Sequence, residues 1–282
     1  MRGGQSDVAK FFSQQWHATP SACQSIAEVE EVIRTTEKAA RGDTDENVPR
    51  RAGSYIDAVV VSHEFTDHMH KETLLEINPE VPVFATAKAA SSIKSWKHFS
   101  KMFEIPRFGG DWRSSSTGPL PDWLSISRVA YPGADLLYYH SAVMVAFSSN
   151  AKEAEAVIYT PHGISPDVVK PVADAKPEIK TLALLHGLQA IKLPRAQLNM
   201  GAHNGLKVQR LLKSKYWIGT HDEVKKGGGI VSWFLDRKMI SLKDAVEREK
   251  KERGNNLKGT DLDSLSELRF EELSNGESLR LE

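Results

Sequence analysis

Three side chains suited to holding a divalent ion, His63, Asp67 and His68, follow one another closely after a short apolar run. The run Ala58-Val59-Val60-Val61 is β-branched, which predicts a strand buried on both faces that carries Ser62 and His63 to its edge. Thr66 or Asp67 can then cap a helix over Met69 to Ile77, with Glu72 in its first turn and Leu74, Leu75 and Ile77 free to pack. Neutral imidazole and carboxylate donors hold zinc through about four positions at roughly 2.0–2.2 Å, and a catalytic site leaves one position for water. A purely structural turn is the competing reading, because Asp67 capping a helix needs no ion.

Other histidines fall at the ends of expected strands. His162 follows Ala156 to Thr160, His186 follows Thr181 to Leu185, His221 follows Tyr216 to Gly219, and His140 precedes Ala142 to Phe147. His221 reads equally well as a ligand or as a satisfied histidine at a sheet rim. His140 is the weakest of the ligand candidates, and ordinary polar roles or pocket lining suit His140 and His186. His203, in Asn199-Met200-Gly201-Ala202-His203, sits at a helix start from which it can reach a pocket. His17, His70 and His98 have no assigned role.

The remaining elements alternate. Helices are expected over Val8 to Gln15, Ser25 to Ala40, Thr86 to His98 and Gly205 to Ser214, and strands over Val81 to Ala85 and Leu124 to Val129. A hairpin fits Ser149-Asn150, Pro166 to Pro177 reads as irregular, and Phe270 to Leu281 reads as a last hairpin through Ser274-Asn275-Gly276. Arg41 to Ser54 is a charged linker, and Ser241 to Leu262 is charged and solvated. Gly227-Gly228-Gly229 lacks the spacing of a phosphate-binding loop and suggests a sharp turn, with a backbone nest for an anion as the minor alternative. Trp217, Trp233 and Phe234 read as core, since basic residues do not alternate with them. Strands and helices in alternation, with polar loops after strands, predict a layered α/β fold with a site at one sheet rim.

Composition bounds the function classes. In 282 residues Lys plus Arg equals Asp plus Glu at 37 each, so no net field points to nucleic acid or an anionic membrane. No apolar run reaches membrane-spanning length, and MRGGQSDVAKFF lacks the apolar core of a signal peptide. The lone Cys23 excludes an intrachain disulfide framework and fits a reducing, cytoplasmic setting. No Gly-x-Ser-x-Gly elbow for serine catalysis is present.

The segment SHEFTDH, residues 62–68, resembles the His-x-His-x-Asp-His signature of the metallo-β-lactamase superfamily, with Phe65 in place of the second histidine. Pro79-Glu80-Val81-Pro82-Val83-Phe84-Ala85 is similar to the next strand of its L-ascorbate-6-phosphate lactonase-like branch, and the resemblance runs thinly from about Trp16 to the C-terminus. It implies an αββα sandwich with residues 55–240 as its core, residues 1–54 as a helical and linker segment, and residues 241–282 completing the same domain. First strands that would precede Ser6 to Thr19 are not found, so either the gene model starts late or a sheet has lost part of its flank, whose uncovered edge gives a reason to form a homodimer.

Under this resemblance His63, Asp67, His68 and His221 are metal ligands, with His162 and His140 as weaker ones and His186 and His203 near the substrate. His162 stands where relatives carry a bridging Asp. Phe65 has no lone pair, so one zinc ion is expected rather than two, with manganese or iron as alternatives. Such an ion activates water near neutral pH, and Asp67 orients the water or takes its proton. The expected activity is hydrolysis of a small ester, lactone or phosphodiester. The alternatives are a degenerate protein that keeps the fold without hydrolysis, or an accessory enzyme of small natural-product biosynthesis.

Overall fold

The computed structural model describes residues 14–41, 53–133, 138–150, 152–228, 233–253 and 269–282. The strands are β1 (Gln14–His17), β2 (Val59–Val61), β3 (Val83–Ala85), β4 (Met102–Glu104), β5 (Leu124–Val129), β6 (Ala142–Phe147), β7 (Glu153–Thr160), β8 (Glu178–His186), β9 (Gln189–Leu193), β10 (Ala196–Met200), β11 (Tyr216–Ile218), β12 (Lys225–Gly228), β13 (Asp236–Met239) and β14 (Arg269–Glu271). The helices are α1 (Ile26–Arg41), α2 (Lys71–Leu74), α3 (Ala87–Ser95), α4 (Pro166–Ala173), α5 (Gly201–Leu212) and α6 (Leu242–Arg253).

Side-chain alternation along the strands builds the layers. On β6, Ala142, Met144 and Ala146 join Ile158 of β7, Leu184 of β8, Val169 and Val172 of α4 and Val208 of α5 in one core. Val143, on the opposite face of β6, packs instead with Phe84 of β3, Ile105 and Ile126. Phe84's neighbours Val83 and Ala85 turn away from it, towards Ala89, Ala90 and Ile93 of α3 and the partly buried Ile26 of α1. The order is therefore helices, small sheet, large sheet, helices, which is the expected αββα sandwich. Phe84 is fully enclosed between the two sheets, a burial worth about 1.5–3 kcal/mol.

The small sheet has the order β2-β3-β4 and the large one β14-β11-β8-β7-β6-β5. Strands β2, β3 and β4 are mutually parallel, as are β7, β8, β11 and β14. Parallel strands put their C-terminal ends on a common rim, where loops can converge. A parallel bridge between Arg107 and Arg128 links the sheets. A third sheet, β10-β9-β13, flanks them, and α6 packs Ala245 against Leu206 of α5 and Trp217 of β11.

Several expectations fail for identifiable reasons. Gln14 and Gln15 belong to β1, which pairs antiparallel with β12, not to a helix; residues 8–13 of that expected helix lie outside the described residues. The same pairing puts Gly227 and Gly228 of the expected turn in a strand, and Gly229 lies outside the described residues. The helix after His68 is only α2, and its cap is His70, whose Nδ1 accepts from the Thr73 amide, so Asp67 is released from capping. Pro166 opens α4 at a first-turn position where a missing N–H costs nothing, and the helix carries Pro171 inside it. Helix α5 begins at Gly201, four residues before the expected start, and the expected last hairpin is a single strand, β14, parallel to β11.

The charged stretch from Ser241 forms α6, with Ala245 fully buried; residues 254–262 and most of the expected linker, 42–52, lie outside the described residues. Trp217 is core as expected, whereas Trp233 is 87% exposed and Phe234 58%. No helix among the described residues is long and apolar enough to cross a membrane.

Candidate metal centre

Strand β2 ends in the segment that brings His63, Asp67 and His68 to the common rim, β7 delivers His162, and β11 delivers His221. Their ligating atoms form two overlapping trios, His63–His68–His162 and Asp67–His68–His221, each with all its donor atoms within 4.8 Å of one another. His63 Nε2 lies 3.0 Å from His162 Nε2. Two nitrogens on one tetrahedral ion at 2.0–2.1 Å would stand about 3.3 Å apart, so the pair is close to the spacing a shared ion imposes. His68 Nε2 is buried without a hydrogen-bond partner, an arrangement that is costly unless something accepts its lone pair. The donor set therefore fits a divalent ion.

Protonation agrees with this geometry. Burial, reinforced by neighbouring imidazoles, pushes His63 and His68 down to about 2, and burial pushes His162 down to about 4. All three rings are neutral at physiological pH, the form that ligates metal. Asn199 Oδ1 stands 2.9 Å from His162 Nδ1 and can only accept. The proton is therefore on Nδ1 and the Nε2 lone pair faces His63. The β9–β10 pairing places an irregularity between Gln197 and Asn199, and such a bulge re-aims the side chain next to it. His63 Nδ1 is itself 2.9 Å from Ser62 Oγ.

The loop bearing His221 is held from several sides. His221 has φ 64, in the left-handed region. Its neighbour Asp222 accepts from the amides of Leu188 and Gln189 at 2.6 and 2.7 Å, tying this loop to the one after β8. His221 Nδ1 lies 3.1 Å from Lys225 Nζ and 3.5 Å from Glu223 Oε1, while its Nε2 is 3.7 Å from Asp67 Oδ2. Burial opposes ionisation of Glu223, but His221 and Lys225 outweigh it and hold the carboxyl well below its ordinary range. The β1 strand reaches the same loop, with Ala18 N donating to Val224 O and His17 Nε2 3.5 Å from Glu223.

Asp67 is half exposed and sits between His68 Nε2 at 3.5 Å and His221 Nε2, so its carboxylate opens to solvent while touching the cluster. Burial first, then the carboxylates of Asp67 and Glu223, hold the Tyr159 phenol above its ordinary range, which keeps it a neutral donor. Phe65 meets His63 edge-on with centroids 4.9 Å apart and lies 6.3 Å from His162. Tyr139 completes an aromatic side, 5.5 Å from His162 and 5.9 Å from Phe65.

The other candidates lie outside both trios. His140 Nε2 donates to the Leu198 carbonyl at 3.0 Å, next to the bulge that aims Asn199. His186 is 1% exposed, with Nδ1 2.6 Å from Thr160 Oγ1 and Nε2 donating to Gly201 O, so both nitrogens are used inside the protein. His203 lies in the first turn of α5. Sequence reasoning missed Asn199, Asp222, Glu223, Lys225 and Tyr139. The polar run from His221 to Lys225 was the available signal for three of them.

No protein-family model matches the chain, and no curated protein matches it. Among solved structures, an isothiocyanate hydrolase from Delia radicum gut bacteria aligns with TM-score 0.48 and 16% identity over 80% of this chain and 76% of its own. A possible metal-dependent hydrolase from Veillonella parvula aligns at 0.46 and 13% identity, over 79% and 75%. The metallo-β-lactamase fold protein YhfI from Bacillus subtilis aligns at 0.42 and 12% identity, over 70% and 71%.

Proposed function

We propose that the chain is a metal-dependent hydrolase of metallo-β-lactamase-like architecture that acts on a small ester, lactone or phosphodiester. One observation carries the reading: the buried Nε2 of His68, which makes no hydrogen bond and has Asp67 Oδ2 at 3.5 Å, lies in one donor group with the paired Nε2 atoms of His63 and His162. These three rings would hold the ion, and Asp67 and His221 border it. His68 belongs to both trios and has one such nitrogen to give, which favours one ion over two.

A bound divalent ion supplies Lewis acidity, activating water near neutral pH and polarising the substrate's carbonyl or phosphoryl oxygen. The chain's own residues do the rest. The Asp67 carboxylate, half exposed beside the cluster, accepts the proton of the attacking water. Glu223 and Lys225 fix the His221 ring, and Asn199 fixes His162. Phe65 and Tyr139 cover one side of the ligands, leaving the polar side at Asp67 for water.

Chromogenic ester, lactone and phosphodiester substrates offered to zinc- or manganese-loaded protein test this. Turnover that a chelator abolishes and metal restores, and that Asp67→Asn lowers by about a hundredfold or more, is expected. Equal rates with and without metal, or turnover untouched by Asp67→Asn, would overturn it.

A further inference from the structure

We infer that the substrate is a neutral ester or lactone carrying an aromatic or similarly flat apolar group, and not an anionic phosphodiester. This rests on the hydrolase reading above and narrows it. The first ground is charge. Asp67, Asp222 and Glu223 border the cluster against Lys225, and the Glu64–Lys88 pair stands next to it on the loop that carries His63. Four carboxylates against two ammonium groups leave about two negative charges, which one divalent ion cancels. The two cations are already answered. Lys225 Nζ is 3.2 Å from Glu223, and Lys88 Nζ is 3.9 Å from Glu64 while resting 3.9 Å over the Tyr138 ring. Arg128 donates to the Tyr138 carbonyl at 2.7 Å and to Ser141 Oγ at 3.3 Å. Phosphoryl sites hold their substrate with forked guanidinium or ammonium contacts beyond those that balance the protein's own carboxylates. Among the described residues, the groups that border this site leave no such surplus.

The second ground is independent of charge. Phe65 is 40% exposed although its ring meets His63 at 4.9 Å, so an open aromatic surface adjoins a ligand directly. Tyr138 and Tyr139 extend that surface at 6.4 and 5.9 Å from Phe65. The Tyr138 hydroxyl donates to Glu64, which anchors the aromatic side to the same loop that carries His63. A flat ring laid against Phe65 and Tyr139 would put an adjacent carbonyl beside the histidine cluster, with aromatic contact geometry of the favoured offset or edge-on kind.

The test is binding to zinc-loaded protein, with phenylacetone as a non-hydrolysable neutral mimic of an aryl ester and methyl phenyl phosphate as its anionic counterpart. Calorimetric titration should give the tighter binding to phenylacetone, and Phe65→Ala should weaken it by about tenfold. Tighter binding of methyl phenyl phosphate, or a Phe65→Ala variant that binds phenylacetone as well as wild type, overturns the inference. Elemental analysis of the same samples separates the two proposals. Protein without bound metal that still prefers phenylacetone through Phe65 sinks the hydrolase reading and keeps the aromatic cleft. Metal-loaded protein that prefers the phosphate does the reverse.

Discussion

Replacing Asn199 by Ala is expected to weaken divalent-ion binding by about ten- to a hundredfold while the fold persists. Asn199 is 8% exposed, and its Oδ1 serves the His162 Nδ1 proton at 2.9 Å. Removing that acceptor leaves a donor unsatisfied in a largely buried site, at about 1–3 kcal/mol. The ring can relieve this by moving its proton to Nε2, where it blocks ligation, or by rotating away from His63. Either way the cost falls on the ion-bound state, and at 1.4 kcal/mol per decade it corresponds to about tenfold to a hundredfold in affinity. Losing a hydrogen-bond partner behind a metal-ligating histidine has an effect of this size in general. Competition titration of zinc against a chromophoric chelator reads the affinity, and far-ultraviolet circular dichroism checks the fold. Asn199→Asp keeps an acceptor at the same place and should bind at least as well as wild type. An Asn199→Ala protein with wild-type zinc affinity would refute the assigned tautomer and the role of His162 as a ligand.

The stability of ion-free protein should rise with pH between about 4 and 6.5, because His63, His68, His162 and His186 are held by burial at about 2, 2, 4 and 4, below their unfolded value near 6.5. Unfolding then takes up protons as pH falls below 6.5, each ring removing up to about 1.4 kcal/mol per pH unit; urea midpoints at pH 5 and pH 7 that coincide would contradict this. Gly205→Ala places a methyl group against His186 Cδ2 and Trp217 Cζ2, so thermal unfolding should show a loss of about 1–3 kcal/mol. Glu249→Ala strands the Arg210 guanidinium, now 2.6 Å from Glu249 with side chains 14% and 8% exposed, and should cost about 3–5 kcal/mol in denaturant melts. A smaller loss than 1 kcal/mol would mean that the α5–α6 contact rests on apolar packing alone.

Much of the layered core was legible because period-2 alternation is a local property. Met144 and Val143 point to different cores, and the sequence of β6 already says that neighbours face opposite ways. Close spacing marked His63, Asp67 and His68 and strand ends marked His162 and His221, and the structure brings the five together in two trios of donor atoms. What failed depends on pairing across long separations. The Gln14–His17 stretch has no strand signal of its own and is extended because β12, two hundred residues away, supplies its ladder. Asn199 owes its place to a bulge between β9 and β10, and β14 lies beside β11 rather than folding back on itself. The short helix α2 was overestimated because Leu75 and Ile77 suggested further turns, whereas the chain leaves the helix at Leu75. Trp233 shows the limit of composition, since an aromatic residue in an apolar run stands 87% exposed.

Metal stoichiometry tests the central claim most directly. Purified protein freed of loosely bound ions should carry about one equivalent of a divalent metal by elemental analysis, and a His63→Ala/His68→Ala variant of preserved fold should carry less than about a tenth of that. A folded wild-type protein that holds no metal after incubation with zinc, manganese or iron, or a double variant that holds as much as wild type, would contradict the account.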